Sequence, residues 1–170
     1  DFPLIQHHLD SFNALLDVDI PTFLRVSNPI TLELGDRTAG PEVRRQIRVY
    51  LGGKTGTKLR YEAPTERDGT PILPHACRLD NRTYALTLRG DIDVEYEFAD
   101  KTTEVKTFSD IVLGQIPLML RSKLCYLTSV DAHAAGECTY ELGGYFVISG
   151  AERVLVTQEL LGNNMVYVGT

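Results

Sequence analysis

Two apolar runs near the end of the sequence are separated by a short turn, and this stretch constrains the fold more than any other. The first run covers residues 145–148, the turn is Ser149-Gly150-Ala151-Glu152, and the second run covers residues 153–156. β-Branched and aromatic residues favour strands, and glycine adopts the positive φ that a tight turn requires. We therefore predict a β-hairpin. Four of its side chains are expected in the core: Tyr145, Phe146, Val154 and Val156.

Apolar residues at the start of the sequence recur with the period of an α-helix. Ile5, Leu9, Phe12 and Leu16 are separated by four, three and four residues, which places them on one helix face. The pattern predicts a helix from Leu4 to Leu16. Pro21 either ends this helix or opens a short second one around residues 22–25.

Short strand patterns dominate the sequence from Ile30 onwards. Alternation of apolar and polar residues predicts strands at residues 30–34, 47–51 and 91–98, with a turn at residues 99–103 and a returning strand at residues 105–108. Pro117 indicates an edge strand or a strand end within residues 111–120. A last strand is predicted at residues 165–168. The fold class is therefore α+β, an N-terminal helix followed by a mostly antiparallel, β-rich region over residues 30–170, in a single domain of residues 1–170.

One predicted strand carries acidic side chains on one of its faces. Asp91, Asp93, Glu95 and Glu97 alternate there with Ile92, Val94, Tyr96 and Phe98. Carboxylates in this spacing are able to bind Mg²⁺ or to act as an acid and base pair. A solvated face is the more common outcome, and a basic neighbouring strand such as residues 44–50 would supply cross-strand partners.

Basic residues are concentrated between Asp36 and Arg67. This segment has eight cations against four carboxylates, whereas the whole chain has a formal net charge of −6. A face that meets nucleic-acid phosphates is one interpretation. A solvated sheet edge kept from aggregating by its charges is the other, and it is favoured because free-standing nucleic-acid binders usually have a basic surplus.

The remaining composition excludes several classes of protein. The three cysteines, Cys77, Cys125 and Cys138, form no CxxC pair, so a disulfide framework and a structural zinc site are not expected. No apolar run is long enough to span a membrane. An intracellular protein is expected, and the start at Asp1 without a methionine suggests an excerpt of a longer chain.

Four separated phrases resemble the N-terminal protrusion region of the second-largest, β-like subunit of multisubunit DNA-dependent RNA polymerases. They occur in the order of that family, and the resemblance is to its archaeal, eukaryotic and large-DNA-virus forms. The phrases cover residues 9–13, 76–84, 114–127 and 136–159.

The resemblance implies a non-catalytic structural role. The protrusion forms one wall of the DNA cleft and borders upstream DNA and the RNA–DNA hybrid. This region is implied to be the first segment of a discontinuous domain, with no cofactor of its own, while the full polymerase uses Mg²⁺ and holds zinc elsewhere. The implied partners are the largest subunit, the remainder of the same subunit, template DNA, the RNA–DNA hybrid and initiation factors, with no membrane. The implied location is the nucleus in a eukaryote, or the cytoplasm or virion for an archaeal or viral member.

The resemblance also suggests which residues of this segment lie near nucleic acid. Arg153 and Gln158 match hairpin positions that lie near the growing RNA in bacterial relatives. Independently of the resemblance, Arg121 and Lys123 place two cations beside a buried strand, where they would bind a phosphate or a protein carboxylate, or form a structural ion pair. No catalytic or metal-binding residue is expected in this segment.

Two other functions compete with the polymerase interpretation. A stand-alone β-rich nucleic-acid-binding module would use the basic segment of residues 37–67 as its binding face. A small hydrolase would use the carboxylates of residues 91–97, although no nucleophile or metal cage accompanies them in the sequence.

Overall fold

The fold is α+β, as the sequence predicts, and it consists of helices followed by a mainly antiparallel sheet. The computed structural model describes residues 4–34, 45–98, 102–158 and 162. Its helices are α1 (Gln6–Ala14), α2 (Ile20–Ser27) and α3 (Pro74–Leu79). Its strands are β1 (Ile30–Leu34), β2 (Arg45–Leu51), β3 (Leu59–Glu62), β4 (Ala85–Glu97), β5 (Thr103–Pro117), β6 (Phe146–Ile148) and β7 (Ala151–Arg153). The predicted strand at residues 165–168 and the first three residues of the predicted turn at residues 99–103 lie outside the described residues.

The N-terminal helix begins two residues later than predicted and continues beyond its predicted end. A π-helical turn, Leu15–Asp19, joins α1 to α2. Leu9, Phe12 and Leu16 are buried, which confirms the predicted apolar face. Pro21, in the first turn of α2, has no N–H to donate to the preceding π-helical turn, and the carbonyl oxygen of Leu16 there accepts from the Tyr61 hydroxyl at 2.7 Å. The second helix that the sequence allowed is therefore present.

Strand β4 is the centre of the five-stranded sheet. Its second half pairs with β2, its first half pairs with β3, and β5 runs along its other side; β1 pairs with β2. All of these pairs are antiparallel. The sequence predicted only the second half of β4, and it divided β5 into two separate runs. Pro117 is the last residue of β5, which confirms the predicted strand end.

Strand β5 contains two irregularities where its register against β4 shifts. Ile92 pairs with Phe108, but Gly90 pairs with Ile111 and Leu88 pairs with Gly114. Asp110 adopts a positive φ of 60° at the first shift. Each shift adds one residue to β5, as a β-bulge does.

The hydrophobic core lies under the first half of β4. It combines the buried face of α1, residues of α3, the end of β5 and β6. Side chains with no measurable exposure in this core are Cys77, Tyr84, Leu86, Leu118, Leu120 and Val147. A short 3₁₀ helix, Tyr126–Thr128, closes the core through Leu127.

The hairpin predicted from the sequence is formed by β6 and β7. Its two-residue turn has positive φ at both positions, 49° at Ser149 and 74° at Gly150, as a tight turn between twisted strands requires. Tyr145 and Phe146 pack against the core. The prediction that Val154 and Val156 build core is wrong, because β7 ends at Arg153 and these side chains are 58% and 83% exposed.

None of the described helices has the length and apolar character needed to cross a lipid bilayer.

Candidate functional site

An apolar groove separates α1 from the β6–β7 hairpin. It encloses about 440 Å³. One wall is formed by α1 and the turn after it, and the other wall is formed by the end of β5, the hairpin and the segment that follows it. The residues that line it are His8, Ser11, Phe12, Leu15, Asp19, Ile116, Pro117, Met119, Phe146, Ile148, Arg153, Val154 and Leu155.

A second groove adjoins the first and encloses about 420 Å³. The two share His8, Arg153 and Val154. Its floor includes Gly143 and Gly144, which both have positive φ. A Cβ atom at Gly144 would lie 3.2 Å from Cβ of Ile5, so glycine lets this backbone approach the start of the helix closely.

Arg153 is the predicted site residue that lies at both grooves. It is exposed on β7, opposite Phe146 of β6. Among the described residues it has no ion-pair partner. Gln158 is also exposed and lies in the irregular segment after β7, five positions further along the chain.

The other two predicted site residues make contacts within the protein. The Arg121 Nη1 donates to the carbonyl oxygen of Leu127 at 2.8 Å, and its buried Nε has no hydrogen-bond partner. The Lys123 Nζ donates to both carboxylate oxygens of Asp17, at 2.5 and 2.7 Å, so it links the end of the core to the helical segment. The structure therefore does not bring Arg121 or Lys123 into the lining of either groove.

Arg78 on α3 connects three separate residues through its guanidinium group, and the sequence patterns did not indicate this role. Its Nη1 donates to both oxygens of Glu137 at 2.7 and 2.9 Å, its Nη2 to the Tyr145 hydroxyl at 2.8 Å, and its Nε to Glu152 at 2.9 Å. Burial disfavours its charge, but the Glu137 hydrogen bond and nearby Tyr145 outweigh burial and raise the pKa of Arg78. The signal in the sequence that could have indicated it is its position in the second phrase that resembles the family, residues 76–84.

Tyr145 extends the contacts of Arg78 to another carboxylate. Its hydroxyl accepts from Arg78 and donates to Glu141 at 2.8 Å. Burial, together with the negative charge and hydrogen bond of Glu141, raises the pKa of Tyr145. The start of the hairpin is thereby connected to α3 through Arg78 and to the loop that precedes the hairpin through Glu141.

The middle of the acidic face of β4, at Asp93 and Glu95, is an ion-pair network and not a solvated surface. Asp93 and Glu95 are buried, at 7% and 8% exposure. Glu95 pairs with Lys54 and accepts from the Tyr50 hydroxyl at 3.0 Å. The hydrogen bond from Lys54 is the main cause that lowers the pKa of Glu95. The cross-strand partners expected from residues 44–50 are present, and they cover carboxylates that the sequence pattern placed in solvent.

The basic segment supplies most of these partners. Arg48 pairs with Glu97 at 2.9 Å, Lys58 approaches Asp93 at 4.0 Å, and Arg60 pairs with Asp110 at 2.7 Å. Arg37 and Arg44 lie outside the described residues. Arg48, Lys54, Lys58 and Arg60 therefore pair with carboxylates within the sheet.

Within the part of the chain that the structure describes, no group of three or more His, Cys, Asp or Glu residues is placed to hold a metal ion. Cys77, one of the three cysteines, is buried in the core.

Known proteins resemble the chain over nearly its whole length. A family model described as RNA polymerase beta subunit matches residues 3–167. The chain is 39% identical to DNA-directed RNA polymerase II subunit 2 of Arabidopsis thaliana. It is 32% identical to DNA-directed RNA polymerase II subunit RPB2 of Encephalitozoon cuniculi and 30% identical to DNA-directed RNA polymerase III subunit RPC2 of Schizosaccharomyces pombe. These alignments cover 97% of the chain but only 15%, 15% and 13% of the respective relatives.

Proposed function

The chain belongs to the RNA polymerase beta subunit family, the second-largest subunits of DNA-directed RNA polymerases, and we propose that it forms a non-catalytic part of one wall of the nucleic-acid cleft. In this proposal it borders upstream DNA and the RNA–DNA hybrid during transcription. It contributes shape and surface to the polymerase, and it takes no part in nucleotide addition.

The observation that carries the proposal is the apolar surface exposed around the hairpin. Val154, Leu155 and Val156 are 58%, 66% and 83% exposed and lie in a row after β7. The first two line the groove against α1. Contiguous exposed apolar surface marks a face that another protein segment covers. A chain that spans about one seventh of its relatives is suited to be one piece of a larger assembly.

The acidic face of β4 supports a structural role for this segment. Its carboxylates are occupied by Lys54, Lys58, Arg48 and the Tyr50 hydroxyl. A carboxylate held in this way stabilises the sheet, whereas a catalytic base needs a proton of the substrate within hydrogen-bond reach. The Mg²⁺ that supports nucleotide addition, and the zinc of the full polymerase, are proposed to be held by other parts of the complex.

Arg153 and Gln158 are proposed as the residues nearest to nucleic acid. Arg153 is an exposed cation without an ion-pair partner among the described residues, so its charge is available to a phosphate. Arg121 and Lys123 are proposed at lower priority, because the contacts of Arg121 with Leu127 and of Lys123 with Asp17 already occupy them.

The proposed partners are the largest subunit, the remainder of the same subunit, template DNA and the RNA–DNA hybrid, together with initiation factors. The nucleus is the proposed location, since the relatives are eukaryotic RNA polymerase subunits. The alternative of a stand-alone nucleic-acid-binding module is less well supported, because four cations of its basic segment, Arg48, Lys54, Lys58 and Arg60, pair with carboxylates of β4 and β5.

Site-specific photocrosslinking in the assembled polymerase tests the proposal. A photoreactive amino acid replaces Gln158 in the full-length subunit, and a matched enzyme carries it at Val105, an exposed position towards the other end of the sheet. In stalled elongation complexes we expect position 158 to crosslink to nascent RNA or template DNA more than position 105 does. Equal or absent crosslinking at position 158 would contradict a location beside the hybrid.

A further inference from the structure

Arg78 contacts the hairpin at its start and on its second strand. Tyr145 immediately precedes β6, and Glu152 is the middle residue of β7; both are bonded to the same guanidinium group. The contacts join residues that are 67 and 74 positions away from Arg78 in the chain. Arg78 is only 19% exposed in its side chain, so its orientation is fixed by its surroundings.

The turn of the hairpin is anchored close to the same helix. The Gly150 N–H donates to the carbonyl oxygen of Arg82 at 3.0 Å, and the Ser149 N–H donates to the Thr83 hydroxyl at 3.0 Å. A Cβ atom at Gly150 would lie 3.1 Å from the carbonyl oxygen of Arg78 itself. The turn is thus fixed through the backbone, whereas the outer strand β7 is tied to α3 through the side chain of Glu152.

The geometry of a strand then determines the direction of Arg153. Successive side chains of a β-strand point to opposite faces. Because Glu152 is held against Arg78, the next side chain is directed away from α3. Arg153 accordingly lines the first groove, between α1 and the hairpin, whereas Glu152 does not.

We infer that Arg78 is a positioning residue for the hairpin: by holding Glu152 and Tyr145 it directs Arg153 towards the groove beside α1. The inference rests on the proposed function, since Arg153 is the residue proposed to lie near nucleic acid. A guanidinium is suited to this role because its five donors have a fixed, planar arrangement that a lysine ammonium lacks. Glu137, at 5% side-chain exposure, balances the charge of Arg78 and holds the guanidinium from the side of the loop.

The position of the hairpin is measured first, without reference to nucleic acid. A photoreactive amino acid replaces Arg153 in the full-length subunit of the assembled polymerase, and its crosslink to α1 is mapped by mass spectrometry. The test variants are Glu152→Gln and Arg78→Lys. Glu152 is 58% exposed in its side chain, so its substitution leaves no buried charge and the protein is expected to fold.

The control is Glu104→Gln, which removes an ion pair of similar exposure, 53%, from β5. We expect most of the crosslink to α1 to be lost in both test variants and retained in the control, with unchanged thermal stability for Glu152→Gln. An undiminished crosslink in Glu152→Gln and Arg78→Lys would overturn the inference.

The effect on nucleic acid is then measured through its salt dependence. Arg153→Ala is expected to lower retention of an RNA–DNA scaffold and to reduce the slope of log affinity against log salt by about one phosphate contact. Glu152→Gln is expected to cause part of the same loss, and the double variant to be no worse than Arg153→Ala. An effect of Glu152→Gln that adds fully to that of Arg153→Ala would also overturn the inference. If Arg153→Ala has no effect while the crosslink to α1 is still lost in the test variants, the positioning role stands and the proposed nucleic-acid contact fails.

Discussion

The two halves of strand β4 are stabilised in different ways. The first half contributes Leu86 to the core, and Tyr84, the residue before the strand, also lies there. Both side chains are fully buried. The second half has buried carboxylates instead, Asp93 and Glu95, covered by cations of the neighbouring strand and loop. On the other face of the sheet at this end, apolar side chains remain exposed, as Leu32 at 53% and Phe108 at 47% illustrate.

This difference shows that one continuous strand need not have one continuous core. Burial of apolar side chains supplies most of the folding free energy where helices cover the sheet. Where no core forms over the acidic face, hydrogen-bonded ion pairs satisfy the carboxylates, and their net contribution is smaller. The core end should therefore respond to changes of volume and the charged end to changes of charge.

The largest effect is expected from a cavity in the core end. Leu118→Ala removes a fully buried side chain and is expected to lower the free energy of unfolding by about 2–5 kcal/mol. Val105→Ala, at a position of 51% exposure opposite Glu95 in the second half of β4, should change it by less than about 0.5 kcal/mol. Urea denaturation followed by tyrosine fluorescence measures both, since the chain has eight tyrosines and no tryptophan. Similar losses for the two variants would mean that the core does not end where the buried side chains of β4 change from apolar residues to carboxylates.

A smaller loss is expected when the charge of Glu95 is removed. Glu95→Gln weakens the contacts with Lys54 and Tyr50, and we expect a loss of about 1–3 kcal/mol. Glu97→Gln is the matched control on the same strand face, at 37% side-chain exposure, with an expected loss of about 0–1 kcal/mol. The same urea titration distinguishes them, and equal losses would contradict a special role of burial at Glu95.

The pH dependence of stability should identify the charged end directly. The pKa of Glu95 is lowered in the folded state, so its stabilisation is present above its ordinary value of 4.5 and is lost as the pH falls through the lower folded value. As the pH falls from about 5 to below the folded pKa of Glu95, the free energy of unfolding should decrease more in wild type than in Glu95→Gln. The extra decrease should roughly equal the difference in free energy of unfolding between the two proteins at neutral pH. Unfolding curves at a series of pH values test this, and parallel curves for the two proteins would refute it.

The smallest effect is expected at the exposed ion pair of the core end. Lys123→Ala breaks the pair with Asp17, whose members are both about half exposed, and should cost about 0–1 kcal/mol. Added salt should narrow the difference from wild type, because it screens exposed charges. A loss as large as that of Glu95→Gln would remove the distinction between exposed and buried ion pairs in this protein.

Local patterns in the sequence were enough to predict the elements that have a regular period. The apolar face of α1, the alternation in β2 and the second half of β4, and the β6–β7 turn all follow from local residue types. The first half of β4 was missed although Leu86 and Leu88 alternate with Thr87 and Arg89, because Gly90 stands at the next apolar position. The two parts of β5 were separated because the shift at Asp110 disturbs its period.

Long-range contacts could not be predicted from such patterns. The burial of Asp93 and Glu95 depends on side chains about 40 residues earlier in the chain, Lys54 and Lys58. The role of Arg78 depends on Glu137, Tyr145 and Glu152, which only the folded chain brings together. Val154 and Val156 have the composition of a core strand, but a strand is buried only where a neighbouring layer covers it.

The two register shifts in β5 also determine which insertions and deletions the strand can accommodate. Each shift adds one residue relative to β4, so Phe108 and Ile111 are three residues apart although their partners Ile92 and Gly90 are two apart. Deleting one residue at either shift would remove that bulge and leave a regular ladder, with Thr107 still facing Asp93. Deleting one residue within the regular part of β5 would instead turn the residues before it to the opposite face. Among homologous chains, length changes in β5 should therefore be concentrated at the two shifts, where the strand can gain or lose a residue without turning its side chains over.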